Sequence, residues 1–139
     1  MTTLTLGSAN INPIEMASAY ATIANGGIYH EPVSILKIKT PSGEEIYSYD
    51  PYKNPENGVR VVDEKVAGAV IKVLETVFSE GTAKSAQLNN NQPVAGKTGT
   101  SDDYRDHTLI GFSPKLVLST WIGKRDYTPT SSSVTCNYL

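Results

Sequence analysis

The residues with the clearest capacity for chemistry lie in one run, Ala95-Gly96-Lys97-Thr98-Gly99-Thr100-Ser101. It places one cationic side chain, two hydroxyls and two glycines on a single short stretch that reads as extended. Such a strand can pair its backbone with a peptide-like ligand, while Lys97 supplies positive charge and the hydroxyls of Thr98 and Thr100 can donate to a carboxylate or carbonyl. Gly99 removes a side chain where a ligand must come close. Alternate residues of a strand share a face, so Lys97 points away from Thr98, and strand twist must bring the three groups to one groove along an exposed edge.

Other constellations compete with this one. Ser34-Ile35-Leu36-Lys37 could pair a nucleophile with a base only on a helix, where residues three apart are neighbours; beside Pro32 it reads as a strand, which sends the two side chains to opposite sides. Gly96-Lys97-Thr98 also ends like a phosphate loop, but the first glycine of that pattern is Asn91 here and no helix pattern follows. Asp102-Asp103 and Arg105-Asp106 offer carboxylates, and a solvated turn with local ion pairs explains them better than acid–base work. His107, entering a strand beside an Asp, reads as structural or exposed.

The elements that position these residues are legible. Asn12-Pro13-Ile14-Glu15 starts a helix, with Asn12 as cap and Glu15 able to reach back to the cap N–H. Ile14, Ala17, Ala21 and Ala24 mark one face, and Gly26-Gly27 ends it. Residues 34–39 and 45–49 read as two strands around a turn at Pro41-Ser42-Gly43, followed by a polar, Pro-broken surface loop from Tyr49 to Gly58. A second helix begins after Asp63. Val66, Ala69, Val70, Val73, Leu74, Val77 and Phe78 recur at helical spacing, so that face is expected to be buried, and Gly81 stops the helix. Three strands follow, over 94–101, 108–112 and 116–122, the last two joined tightly through Ser113-Pro114-Lys115. The fold class expected is therefore α/β, an antiparallel sheet packed with helices. From Tyr127 to Leu139, Thr, Pro and Ser dominate, and a loosely ordered or truncated tail is expected.

At 139 residues the chain is one domain or part of one. A net charge of −2 provides no basic stripe, which disfavours nucleic acid as a partner. The single Cys136 makes no internal disulfide, and with only His30 and His107 no metal cluster is in view, so neither a metal nor a cofactor is expected. No stretch approaches the roughly 20 apolar residues of a membrane span.

Beyond the Lys-Thr-Gly triplet, which is one signature of serine acyl-transfer enzymes of the β-lactamase and penicillin-binding class, several blocks stand in a familiar order. Leu6-Gly7-Ser8, the run from Asn12 to Ala21, Ala24-Asn25-Gly26-Gly27, Gly81-Thr82-Ala83, Ala95 to Thr100 and Trp121-Ile122-Gly123 resemble the C-terminal half of the transpeptidase domain of class A, bifunctional penicillin-binding proteins. The resemblance runs from about Leu4 to Asp126, so residues 1–126 are read as a partial β-lactamase/transpeptidase-like fold and 127–139 as the tail. It departs at Thr108 and Leu109, where the family usually has Trp and Phe.

The resemblance implies a membrane-anchored enzyme on the extracytoplasmic face, which cross-links peptidoglycan stem peptides ending in D-Ala-D-Ala and is acylated by β-lactams. Lys97 and Thr100 would be catalytic, Lys97 through charge and proton network and Thr100 through an oxyanion-hole N–H. Thr98, Gly99 and Thr100 would bind substrate. The family's nucleophile motif, Ser-x-x-Lys on a helix, would lie outside these residues, in a missing N-terminal half of the domain. The chain alone is accordingly expected to be inactive and to self-associate through uncovered apolar surface. Ser8-Ala9-Asn10 spells the third signature but precedes the position that family order requires. The alternative is a non-catalytic module that binds peptide or cell wall along the same strand.

Overall fold

A computed structural model of the chain describes residues 7, 9–50, 53, 58–89 and 92–131. Helix α1 spans Pro13–Ala24 and helix α2 spans Glu64–Ser79. Between them lie the short strands β1 (Ile28–Tyr29), β2 (Lys37–Lys39), β3 (Glu45–Ser48) and β4 (Val59–Arg60). After α2 come β5 (Ala95–Thr100), β6 (Asp106–Phe112) and β7 (Val117–Gly123). The described strands form three antiparallel sheets, β1 with β4, β2 with β3, and a three-stranded sheet ordered β5-β6-β7.

Both helix starts follow from local chemistry. The Glu15 N–H donates to Asn12 Oδ1 at 2.9 Å and the Asn12 N–H donates to Glu15 Oε2 at 3.1 Å, the reciprocal capping box that the sequence signals. Asp63 caps α2 by accepting from the Lys65 N–H at 2.9 Å. At the end of α1, Gly27 turns with positive φ, and its carbonyl accepts from the N–H groups of Val61 and Val62. These bonds and the β1–β4 pair tie the end of α1 to the start of α2. Two-residue strands carry no period-2 pattern, so this pair has no signature in the sequence.

The α2 face differs from expectation. Ala67 and Phe78 are buried and Val70, Ile71, Leu74 and Val77 are half-buried, whereas Val66, Ala69 and Val73 face solvent, with Val73 68% exposed. The apolar surface of α2 is wider than the stripe the sheet can cover. Ile14 of α1 is likewise exposed, while Ala17, Ala21 and Ala24 are half-buried. The hairpin begins later than expected, at Lys37 rather than Ser34, and all residues of β2 and β3 are exposed.

The core sits where α2 meets the three-stranded sheet. Phe78, Ala83 and Leu109 form it, flanked by Val77, Ala86 and Val94. Gly96 and Gly111 oppose each other in the ladder, and the Phe78 ring lies over both; a Cβ at Gly96 would stand 2.9 Å from Phe78 Cε2 and 2.0 Å from the Ile110 carbonyl oxygen. Helix α1 packs along β7 and β6, with the Tyr20 and Phe112 rings 5.9 Å apart.

The segment after β7 is partly fastened. The Thr130 N–H donates to the Tyr104 carbonyl at 2.9 Å, and Thr130 Oγ1 lies 2.8 Å from Nε2 of buried His107. The rest of the expected tail, 132–139, lies outside the described residues.

Candidate functional site on the β5 edge

Strand β5 is the outer strand of the three-stranded sheet among the described residues, and it carries Lys97, Thr98, Gly99 and Thr100. The direction of its backbone groups follows from two hydrogen bonds. The Ser101 N–H donates to the Asp106 carbonyl at 3.0 Å, so Ser101 turns toward β6. Lys97 Nζ donates to the Thr98 carbonyl at 2.7 Å, so Thr98 turns toward the outer edge. Successive residues alternate between the two edges of a strand. Gly99 and Lys97 therefore pair inward, and the amides of Thr98 and Thr100 point to the open edge.

Side chains alternate across the sheet in the same way. Gly96, Thr98 and Thr100 share the face on which Phe78 packs. Lys97 and Gly99 share the other face with Thr108 and Ile110, their cross-strand partners. Lys97 is exposed, and its amine folds back over the edge to the Thr98 carbonyl. The cation and the outward amides thus converge although the side chains start on opposite faces. Thr98 is half-buried, and its hydroxyl meets that of Thr82 at 2.7 Å. Thr100 is exposed.

Gly99 has a packing reason of its own. A Cβ there would stand 2.4 Å from Thr108 Oγ1, which itself donates to the Gly99 carbonyl at 3.4 Å. A larger residue there would have to displace the Thr108 hydroxyl from this bond.

Thr82 was not singled out by its spacing, and it is the residue by which the end of α2 touches the site. After Ser79 the chain turns sharply: the N–H groups of Glu80 and Gly81 both donate to the Thr76 carbonyl, and the Ala83 N–H donates to Val77. A Cβ at Gly81 would stand 2.8 Å from Val77 Cα, and Ala83 is fully buried. A small residue on each side of Thr82 therefore lets the turn fold tightly enough to bring its hydroxyl to β5.

The competing constellations come apart. Ser34 lies outside any regular element, and Lys37 is held in the hairpin by an ion pair to Glu45 at 2.8 Å. That bond also holds the Glu45 carboxyl below its ordinary value. Ser8 lies outside the described residues, as does Asn91 of the phosphate-loop alternative; Lys97 sits inside a strand rather than before a helix. In the turn after β5, Asp103 pairs with Arg105 at 3.1 Å. A groove of about 470 Å³ between α1 and the β1–β4 pair, lined by Ile14, Ser18, Tyr29 and Val61 among others, includes none of the β5 residues.

An antiparallel sheet with helices packed on it and, among the described residues, an outer strand bearing Lys-Thr-Gly has the β-lactamase-like fold of the solved transpeptidase structures it resembles. Residues 1–123 match the family model of the penicillin binding protein transpeptidase domain, and the chain belongs to that family. It is 34% identical over 120 residues to penicillin-binding protein 1A of Aquifex aeolicus, covering 86% of this chain and 16% of that protein. The chain thus spans a small part of such relatives. Among solved structures, the penicillin-binding protein PonA1 from Mycobacterium tuberculosis is 27% identical with a TM-score of 0.77, covering 99% of this chain and 35% of that one. PonA1 also has a structure in complex with penicillin V. Penicillin-binding protein 1A from Haemophilus influenzae shares the fold with a TM-score of 0.85 at 23% identity, over 99% of this chain and 26% of that one.

Proposed function

We propose that this chain forms the Lys-Thr-Gly wall of a peptidoglycan D,D-transpeptidase site. In the complete domain a serine outside these 139 residues attacks the carbonyl of the penultimate D-Ala of a stem peptide, and the terminal D-Ala leaves with the proton it needs. An amine of a neighbouring stem peptide then takes the acyl group and frees the serine. Lys97 supplies positive charge and part of the proton network. Thr98 and Thr100 bind the terminal carboxylate through their hydroxyls, and the Thr100 N–H is one of two oxyanion donors. β-Lactams enter by the same route and remain as acyl-enzymes.

The observation that carries this reading is the outward direction of the Thr98 and Thr100 amides on an outer strand, with the Lys97 amine folded onto that same edge. A peptide-like ligand added along β5 meets main-chain donors, hydroxyls and a cation together. The complete protein is read as anchored in the membrane upstream, with this domain on the extracytoplasmic face.

Fluorescent penicillin tests the reading. The chain alone forms no stable adduct by denaturing gel or intact mass, whereas the complete domain is acylated, and Lys97→Ala or Thr100→Val slows that acylation without unfolding the protein. Stoichiometric labelling of Ser34 in the isolated chain would overturn it. A complete domain that binds stem peptide but is never acylated would favour the non-catalytic binding module.

A further inference from the structure

Thr100 is the last residue of the β5 ladder, paired with His107. A strand end normally frays, yet an oxyanion donor must hold its N–H to within a fraction of an ångström. The residues just beyond Thr100 carry a closed set of hydrogen bonds. The Ser101 N–H donates to the Asp106 carbonyl at 3.0 Å. The Asp106 N–H donates to Ser101 Oγ at 2.8 Å, and that hydroxyl donates to Asp106 Oδ2 at 2.8 Å. The remaining carboxylate oxygen, Oδ1, accepts from the Trp121 indole N–H at 2.9 Å.

Trp121 reaches Asp106 diagonally. Its direct cross-strand partner is Thr108, and Asp106 is paired with Gly123. The indole folds along β7 and across Gly123, where a Cβ would stand 2.2 Å from Trp121 Cζ2. Glycine at 123 is what allows the indole to lie flat enough to meet the carboxylate. Trp121 is 47% exposed, so its pose rests on the bond to Asp106 together with its contact over Gly123. The turn enclosed between Ser101 and Asp106 holds Asp103 and Tyr104 at positive φ, a strained conformation sustained by the bonds at its ends and by the Thr130 N–H on the Tyr104 carbonyl.

We infer that Asp106, held by Trp121 across Gly123, is the positioning residue that clamps Ser101 and so fixes the Thr100 N–H at the end of β5. The inference rests on the reading of Thr100 as an oxyanion donor. Asp106 touches no reacting atom; it acts through Ser101. Trp121-Ile122-Gly123 thereby acquires a role at the site although it lies two strands from the edge.

Two measurements decide it. In this chain, amide hydrogen exchange at Ser101 is expected to speed up at least about 10-fold in Asp106→Ala while Gly96 and Lys97 are unchanged. In the complete domain, acylation by fluorescent penicillin is resolved into the binding constant and the first-order acylation step. Asp106→Ala and the milder Trp121→Phe, which removes the indole N–H and the outer ring over Gly123, are expected to slow the acylation step about 10-fold or more and to leave the binding constant within about threefold. Asp106→Asn, which can still accept from Trp121 and bond Ser101, is expected to restore most of the rate. Wild-type acylation in Trp121→Phe and Asp106→Ala, a change confined to binding, or an Asp106→Asn as slow as Asp106→Ala would each overturn the inference and leave the transpeptidase reading intact. If the wild-type domain is not acylated at all, that reading fails, and the exchange rates alone decide whether Asp106 braces the strand end.

Discussion

The hydroxyls of Thr82 and Thr98 lie 2.7 Å apart and join the turn after α2 to the middle of the Lys-Thr-Gly strand. The pair is sixteen residues apart in sequence and bridges the helix that builds the core and the strand proposed to hold the ligand. On the proposed reading, Thr98 donates to a ligand carboxylate while its oxygen accepts from the Thr82 hydroxyl.

Removing that hydroxyl should weaken ligand capture more than removing its partner. In the complete domain, Thr98→Val is expected to raise the dissociation constant for a β-lactam carboxylate about 10-fold or more, since a hydrogen bond to a charged group contributes about 1.5–3 kcal/mol. Thr82→Val should have a smaller effect on binding, and Thr82→Ser almost none. Stopped-flow acylation over a range of ligand concentrations separates the three; equal effects of Thr98→Val and Thr82→Val would refute the ordering.

Phe78 carries the junction of α2 with the sheet. Phe78→Ala is expected to destabilise this chain by about 3–5 kcal/mol, by removing the ring that covers Gly96 and Gly111. Gly96→Ala is expected to act from the other side, costing about 1–3 kcal/mol because the ring and the strand β6 backbone must both move. Chemical denaturation monitored by circular dichroism measures both, and an Ala at 96 without effect would show that Phe78 does not pack there.

Burial lifts the Tyr20 phenol above its ordinary value of 10.0. The folded state holds the neutral phenol more firmly than the unfolded chain does. This contribution is therefore fully present below about pH 10 and is lost as pH rises through the folded value. Thermal melts between about pH 9 and 11.5 should show a decline that Tyr20→Phe reduces, and tyrosinate absorbance should show one group titrating late.

The outer stripe of α2, Val66, Ala69 and Val73, faces solvent in this chain. If the remainder of a transpeptidase domain normally covers it, the isolated chain should associate, and Val73→Lys should shift it toward monomer in sedimentation velocity. A monomeric wild-type chain with a sharp, high melting transition would instead favour a self-sufficient module.

Much of this molecule is decided within a few residues of chain. The Asn12–Glu15 capping box, the Asp63 cap, the span of α2 and the extended Lys97 run all act between near neighbours, and each stands close to where the sequence puts it. Family membership is equally local, because it rests on short blocks in order. What no local signal contains is the choice of partner across space. The parity of β5, and hence the outward Thr100 amide, depends on which edge β6 occupies. The buried side of α2 depends on how much of its wide apolar surface the sheet reaches, which is why Val66 and Val73 are exposed against expectation. The bonds from Thr82 to Thr98 and from Trp121 to Asp106 join residues that are neighbours only after the helix and strands have packed. Hydrogen bonds and close packing act over about 3–4 Å, and only the tertiary fold brings such residues within that range.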